Sequence, residues 1–191
     1  HFNKLASFCN VPRQLVFEEL DVANSIYEIP LELAKQDLDK YTLELLKLHV
    51  SDLQIEDWQA MVNRLIKPSC GEVEIAVIGK YISLRDAYKS IHEALAHGSA
   101  ANDVKLKVRP IEAEDLENVA DPAELLDGCD AVLVPGGFGT RGIEGKVKAA
   151  RYAREGGIPY FGICLGMQCA VIEFARHVCG LANANSSEFD P

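Results

Sequence analysis

The chain has 191 residues, of which 48% are hydrophobic, enough for one globular domain with additional structure. No apolar run approaches the ~20 residues that span a bilayer, and the amino end carries no signal-peptide pattern. The net charge of −10 opposes binding to nucleic acid, because affinity for phosphates depends on clustered Lys and Arg. We therefore expect a soluble protein that binds neither membrane nor nucleic acid.

The six cysteines are scattered along the chain and form no CxxC pair. This spacing is unlike a disulfide framework or a structural zinc site. We expect reduced thiols, a cytosolic setting and no metal site.

The first fifty residues contain too few strands to close a core of their own. Apolar stretches predict strands over residues 4–9 and 21–29, a short helix over 15–20 and a longer helix over 31–48. We interpret residues 1–50 as the end of a larger domain.

Residues 51–72 have the pattern of a linker with one helix. Trp58, Met61, Val62 and Leu65 form an apolar stripe at helical spacing, and Pro68-Ser-Cys-Gly71 is a break signal. A second domain is therefore predicted from residue 73.

Strand and helix patterns alternate through the second domain. Strands are predicted over residues 73–78, 104–108, 131–134 and 159–163, and helices over 84–97, 145–154 and 167–178. This order predicts an α/β fold with a parallel sheet covered on both faces. Because ligands bind outside the carboxyl ends of such strands, Gly79-Lys80, Gly136-Gly137 and Cys164 are expected in one site.

Cys164 lies at the centre of Gly162-Ile-Cys-Leu-Gly166, between a predicted strand and a predicted helix. Glycines two residues before and after a nucleophile allow the tight turn of a nucleophile elbow. The following helix directs its amides and positive dipole end at the sulfur, which favours the thiolate. Cys169 and Cys179 are predicted to be packing residues.

The motif Phe161-Gly-Ile-Cys-Leu-Gly-Met-Gln168 resembles the nucleophile motif of class I glutamine amidotransferase domains. Further runs make the whole chain similar to the CTP synthase family: Gly79-Lys-Tyr81, Asp86-Ala-Tyr-Lys-Ser90, Val134-Pro-Gly-Gly-Phe-Gly139 and Asn183-Ala-Asn-Ser-Ser-Glu-Phe189. The resemblance implies a flavodoxin-like amidotransferase domain over residues 73–191, incomplete at its carboxyl end. It also implies that residues 1–50 end a P-loop-type synthetase domain.

The resemblance implies roles for individual residues. Cys164 would be the nucleophile, and the amides of Gly137 and Leu165 would bind the oxyanion. Glutamine would be bound by Gly137, Phe138, Leu165, Gly166, Met167, Gln168 and Glu188. Contact with the other domain is implied for Lys80, Tyr81, Asp86 and Lys89.

A general base for Cys164 is not found among the five histidines. His177 is thirteen residues along the predicted helix, roughly 20 Å away, and His92 and His97 lie away from the strand ends. In the resembling family the His and Glu of the triad come from a segment later than Pro191. We therefore expect little glutamine hydrolysis from this chain alone.

The resemblance also implies an ATP-dependent amination of UTP to CTP by the parent protein. Leu20, Asp21 and Val22 would line the adenine side of the ATP site. The chain contains no GxxxxGK[ST] motif, and the Mg²⁺ ligands would lie upstream, so this chain alone is expected to bind neither ATP nor Mg²⁺. GTP and CTP as effectors, a homotetramer and a cytoplasmic location are implied as well.

Three alternatives compete with this interpretation. Gly137-Phe-Gly-Thr-Arg-Gly142 matches the dinucleotide fingerprint GxGxxG, but it follows a late strand and lacks the acidic residue that would bind a ribose. A non-catalytic binding or assembly piece is the second alternative. The third is a peptidase-like or chaperone-like relative with the same cysteine elbow.

Overall fold

The structure, a computed structural model, describes residues 1–49, 52–82 and 84–190. The chain divides into two compact units, His1–Ser69 and Cys70–Pro191. None of the helices in the described ranges is long and apolar enough to cross a membrane. The assignment of residues 1–50 to a synthetase domain, 51–72 to a linker and 73–191 to an amidotransferase domain stays a prediction.

The first unit is helical where sequence patterns predicted strands. Its helices are α1 Phe2–Cys9, α2 Ile29–Ala34, α3 Leu38–Leu46 and α4 Glu56–Ile66. The strand predicted over residues 4–9 is wrong because α1 occupies it, and the strand over 21–29 is wrong because it contains a 3-10 turn. A strand needs a partner for its amides and carbonyls, and the described part of this unit contains no other strand.

Two helix predictions in the first unit also need correction. Residues 15–20 contain only the end of a 3-10 turn, Arg13–Leu15. The helix over 31–48 is divided in two, because Asp37 adopts a left-handed φ of 60° between α2 and α3. The helix around Trp58 is confirmed as α4, and the Trp58 indole donates a 2.8 Å hydrogen bond to the carbonyl of Tyr27.

The second unit is built on four parallel strands. They are β1 Glu72–Gly79, β2 Lys105–Glu112, β3 Ala131–Val134 and β4 Tyr160–Gly162, in the order β2-β1-β3-β4. This order is that of the first four strands of flavodoxin-like sheets. The α/β parallel fold predicted from the alternating pattern is confirmed.

Helices follow each strand of this sheet. They are α5 Lys89–Asn102, α6 Ala113–Asn118, α7 Ala123–Leu126, α8 Ile143–Gly156 and α9 Leu165–His177. The helix predicted over 84–97 begins later than expected, because a 3-10 turn occupies Arg85–Tyr88. Helices α6 and α7 were not predicted.

Both faces of the central strands β1 and β3 are buried, which explains the apolar runs in their sequences. Alternate residues of β1 and β3 pack in one cluster with α6, α7 and α8, among them Ile78, Leu116 and Val134. On the opposite face, Val77 and Leu133 are also buried. A second cluster joins α8 to α9 and contains Ile143, Val147, Leu165, Cys169 and Ile172.

Candidate active site

Cys164 lies on the turn between β4 and α9, as the glycine pattern predicted. Its backbone adopts φ 51° and ψ −105°, a conformation that residues other than glycine rarely adopt. The amide of Ile163 donates a 2.9 Å hydrogen bond to the carbonyl of Val134 in β3, which anchors the turn to the sheet. The Cys164 side chain is exposed, so the thiol is accessible at the carboxyl edge of the strands.

The two glycines of the elbow are required by close backbone packing. A methyl group added at Gly162 would lie 2.4 Å from the carbonyl carbon of Gly166. One added at Gly166 would lie 2.1 Å from the carbonyl oxygen of Val134. The buried Tyr160 hydroxyl donates to the Gly166 carbonyl at 2.7 Å, and burial raises the pKa of that phenol. The elbow is therefore a packed and hydrogen-bonded turn.

A glycine loop after β3 lies beside the cysteine. A methyl group added at Gly136 would lie 3.6 Å from the Cβ atom of Cys164. Within the described residues, the amides and carbonyls of Gly136 and Gly137 have no hydrogen-bond partner, and neither does the Leu165 amide at the start of α9. Unpaired amides next to a thiol are suitable donors for an oxyanion.

Lys80 holds the second half of this loop. Its side chain is only 5% exposed, and its Nζ donates to the carbonyls of Phe138 and Gly139 at 2.7 and 2.8 Å. Burial lowers the pKa of Lys80, the charge of Arg141 lowers it further, and Glu188 acts in the opposite direction. Sequence reasoning expected Lys80 to contact another domain and missed its contact with the loop.

Lys146 is a second buried lysine behind the same loop. It is 1% exposed, and its Nζ lies 3.6 Å from the position of a methyl group added at Gly137. Burial lowers the pKa of this ammonium group to about 8, and the positive charge of Lys80 contributes in the same direction. Sequence analysis missed this residue, although it occupies the buried face of α8 that Ile143, Val147 and Ala150 define.

The segment after α9 returns to the first turns of that helix, near the elbow. The hydroxyl of Ser186 donates to the side-chain carbonyl of Gln168 at 3.2 Å, and Phe189 packs against the α8–α9 cluster. Arg176 binds the carbonyl of Ala184 at 2.7 Å. These contacts hold the turn that carries Glu188 close to the elbow, together with Gln168.

Comparison with known protein families decides the class of this unit. Residues 83–189, more than half of the chain, match the family described as glutamine amidotransferase class-I. The chain belongs to the class I glutamine amidotransferase family.

The predicted similarity to CTP synthases is confirmed over the whole chain. The CTP synthase of Fibrobacter succinogenes is 53% identical over 190 residues, which cover 100% of this chain and 33% of that protein. The CTP synthase of Desulfovibrio desulfuricans is 50% identical over 187 residues, 98% of this chain and 34% of that protein. The chain thus spans about a third of the length of these relatives.

A solved structure is similar to the amidotransferase unit. The glutaminase domain of Trypanosoma brucei CTPS with bound acivicin has a TM-score of 0.58 and 46% sequence identity. The similarity covers 62% of this chain and 46% of that chain.

No histidine is hydrogen-bonded to Cys164 among the described residues of the amidotransferase. His177 lies at the opposite end of α9, where its Nδ1 is 3.0 Å from the carbonyl oxygen of Glu173. Across the described ranges, no group of three or more His, Cys, Asp or Glu side chains is arranged to hold a metal ion.

The residues predicted for the adenine side of an ATP site lie in the first unit. Leu20, Asp21 and Val22 line a cavity of about 540 Å³, together with Glu18, Ala23, Glu28, Glu32, Lys35 and Gln36. The apolar side chains suit a nucleobase, whereas the carboxylates would repel a triphosphate.

Proposed function

We propose that the second unit hydrolyses glutamine and that the protein as a whole is a CTP synthase. The observation that carries this proposal is the exposed thiol of Cys164 on a strained elbow, next to the amides of Gly137 and Leu165, which have no partner among the described residues. The similarity to CTP synthases and to a CTPS glutaminase domain that binds acivicin supports the same assignment.

The chemistry would proceed through a glutamyl thioester. The Cys164 thiolate attacks the carboxamide carbon, so a C–S bond forms and the carbonyl electron pair moves to oxygen, where the amides of Gly137 and Leu165 bind it. When the C–N bond breaks, the nitrogen takes up a proton and leaves as ammonia. Water then adds to the thioester and breaks the C–S bond, which releases glutamate and restores the thiol.

Glutamine would lie between the glycine loop and the start of α9. Gly137 and Phe138 would contact it from the loop, and Leu165 to Gln168 from the helix. The carboxylate of Glu188 would pair with the α-amino group, and the Ser186–Gln168 hydrogen bond supports this placement.

Turnover of glutamine needs a general base, and the described residues place none beside Cys164. We therefore propose that this chain alone reacts with activated glutamine analogues but hydrolyses glutamine inefficiently. The triad His and Glu would be supplied by a segment outside the described residues.

In the whole protein, ammonia would pass to a synthetase site and aminate UTP in an ATP-dependent step. Leu20, Asp21 and Val22 would contact the adenine of ATP, while other residues would bind its phosphates and Mg²⁺. GTP and CTP as effectors, a homotetramer and a cytoplasmic location belong to the same proposal.

The first test is covalent labelling of the purified chain with 6-diazo-5-oxo-norleucine, with adducts located by mass spectrometry. We expect selective modification of Cys164, protection by excess glutamine and no adduct at that position in Cys164→Ala. The exposed Cys9, Cys70 and Cys179 are internal controls for non-selective reaction. Absence of a Cys164 adduct in folded protein would favour a non-catalytic binding piece.

A further inference from the structure

The ammonium group of Lys146 lacks the partner that a buried lysine normally has. Among the described residues, no acceptor forms a hydrogen bond or an ion pair with its Nζ, although the residue is 1% exposed. Lysine is almost never fully buried without a partner, because an unpaired charge away from water is costly. The Nζ atom is not among the fully buried unpaired atoms of the described residues, so it keeps a narrow contact with solvent and is free to bind a backbone acceptor.

Among the described residues, the groups that surround Lys146 provide no counter-charge. Lys80 approaches from the end of β1, Arg141 from the turn before α8, and the Cys169 thiol from α9. The two cations repel the ammonium group, and burial raises the pKa of Cys169 to about 11, so this thiol is neutral at pH 7. An ion pair therefore does not explain why a lysine is buried here.

The glycine loop offers the missing acceptor. Lys80 already binds the carbonyls of Phe138 and Gly139, whereas the carbonyl of Gly136 has no partner within the described residues. In a trans peptide the amide and the carbonyl point in opposite directions. When the Gly137 amide turns toward the substrate oxygen, the Gly136 carbonyl therefore turns away from it.

The ammonium group of Lys146 lies beside Gly137, next to the start of α9. Its Nζ and the Cδ2 atom of the fully buried Leu165 flank the same side of Gly137, at 3.6 and 3.5 Å from an added methyl group. Glycine at positions 136 and 137 gives the peptide freedom to rotate without steric clash.

We propose that Lys146 is a positioning residue of the oxyanion loop, whose ammonium group binds the Gly136 carbonyl while the Gly137 amide faces the substrate oxygen. This inference rests on the proposed glutaminase function and adds a residue to it. Lys80 holds the second half of the loop and Lys146 holds the first, so the donor is oriented before charge develops in the transition state.

The test compares two reactions of Cys164 in the full chain. With L-glutamate γ-(p-nitrophenyl) ester, the thiolate attacks the ester carbonyl through an oxyanion, a C–S bond replaces the C–O bond, and p-nitrophenolate leaves with the electron pair. This leaving group needs no proton, so the missing general base does not limit the reaction. With iodoacetamide, the thiolate displaces iodide and no oxyanion forms. Absorbance follows the first reaction, and mass spectrometry of the Cys164 peptide follows both.

We expect Lys146→Met to slow acylation about tenfold and to change alkylation by less than about twofold. Lys146→Arg keeps a cationic donor and should restore most of the acylation rate. Lys148→Met is the matched control on the same helix, because Lys148 binds the carbonyls of Leu116, Glu117 and Val119 at 2.8 to 3.1 Å instead of the loop. Its ratio of acylation to alkylation should equal that of the unchanged chain.

An unchanged acylation rate in Lys146→Met, or an equal loss in both reactions, would overturn the positioning role while leaving the proposed function intact. If this variant fails to fold, Lys146→Leu gives the same comparison, because it also has no hydrogen-bond donor on this buried face of α8. Failure of the unchanged chain to acylate at Cys164, with alkylation intact, would overturn both proposals.

Discussion

The absence of Cβ atoms at two glycines allows the backbone path around Cys164. The elbow brings Gly166 so close to β3 that no Cβ atom fits between it and the Val134 carbonyl. The same glycines were the signal from which the sequence predicted the elbow. The prediction succeeded because a strained turn and a close helix–sheet approach both exclude side chains, and glycine is the residue that satisfies both conditions.

Gly166→Ala should destabilise the second unit by about 3 kcal/mol, since the added methyl group would lie 2.1 Å from a backbone oxygen. Urea unfolding measures the loss, and labelling of Cys164 should fall with it. The control is Gly98→Ala in α5, where a methyl group meets nothing within 4 Å. That change should stabilise the chain by about 0.5 to 1 kcal/mol, because alanine favours a helix interior. Equal effects of the two substitutions would contradict this account of the elbow.

Lys146 should make stability depend on pH in a characteristic window. Its folded pKa is about 8 against an ordinary value of 10.5, so between these values the unfolded chain binds a proton that the folded chain lacks. Stability therefore rises with pH across this window, and below pH 8 the full penalty of burying the charge remains, about 3 kcal/mol. Lys146→Met should remove this penalty at pH 7.

The measurement is urea unfolding of both proteins from pH 7 to 10.5. The stability advantage of Lys146→Met should shrink as pH rises above 8, because the unchanged chain then loses the charge in its folded state. A constant difference across this range would show that the substitution acts through packing alone. A variant that is more stable but slower in acylation would be typical of a residue retained for function.

Among the helices and strands, the elements predicted correctly are those whose burial produces a clear apolar pattern in the sequence. The central strands β1 and β3 have buried residues on both faces, so they appear as apolar runs that the sequence reveals directly. Helices α6 and α7 were not predicted because they are short and carry acidic residues in their first turns, namely Glu114, Asp115 and Glu124. Their apolar members, Leu116 and Leu126, are nevertheless fully buried against the sheet.

Over residues 1–29 of the first unit, local apolar patterns in the sequence predict neither the secondary structure nor the burial of the side chains. Phe8 is 90% exposed and Leu20 69% exposed, so apolar content there does not indicate burial within the unit. The residues of α1 were predicted as a strand from their apolar character, but a strand depends on a neighbour that the local sequence does not specify. A helix satisfies its own backbone, which explains the outcome.

An ion pair between α8 and α9, which belongs to no sequence motif, determines how these two helices pack. Glu173 is 2% exposed and accepts hydrogen bonds from the guanidinium of Arg154 at 2.8 to 3.1 Å. This pair fixes how α9 packs on α8, and thus where the start of α9 presents Cys164. Like Lys146, these residues have charged side chains, which no apolar pattern in the sequence marks as buried.

At the scale of the whole molecule, the nucleophile, the glycine loop and both hydrophobic clusters all lie within the second unit. A unit of this size buries enough apolar surface to fold by itself. Residues 70–191 produced alone should therefore unfold cooperatively in urea. Cys164 should react with 6-diazo-5-oxo-norleucine at a rate within about twofold of that in the full chain. Changes at independent sites have additive effects on free energy, so removal of the first unit should leave the activation free energy at Cys164 nearly unchanged. Protection by glutamine in the full chain but not in residues 70–191 would instead show that the first unit helps to form the pocket.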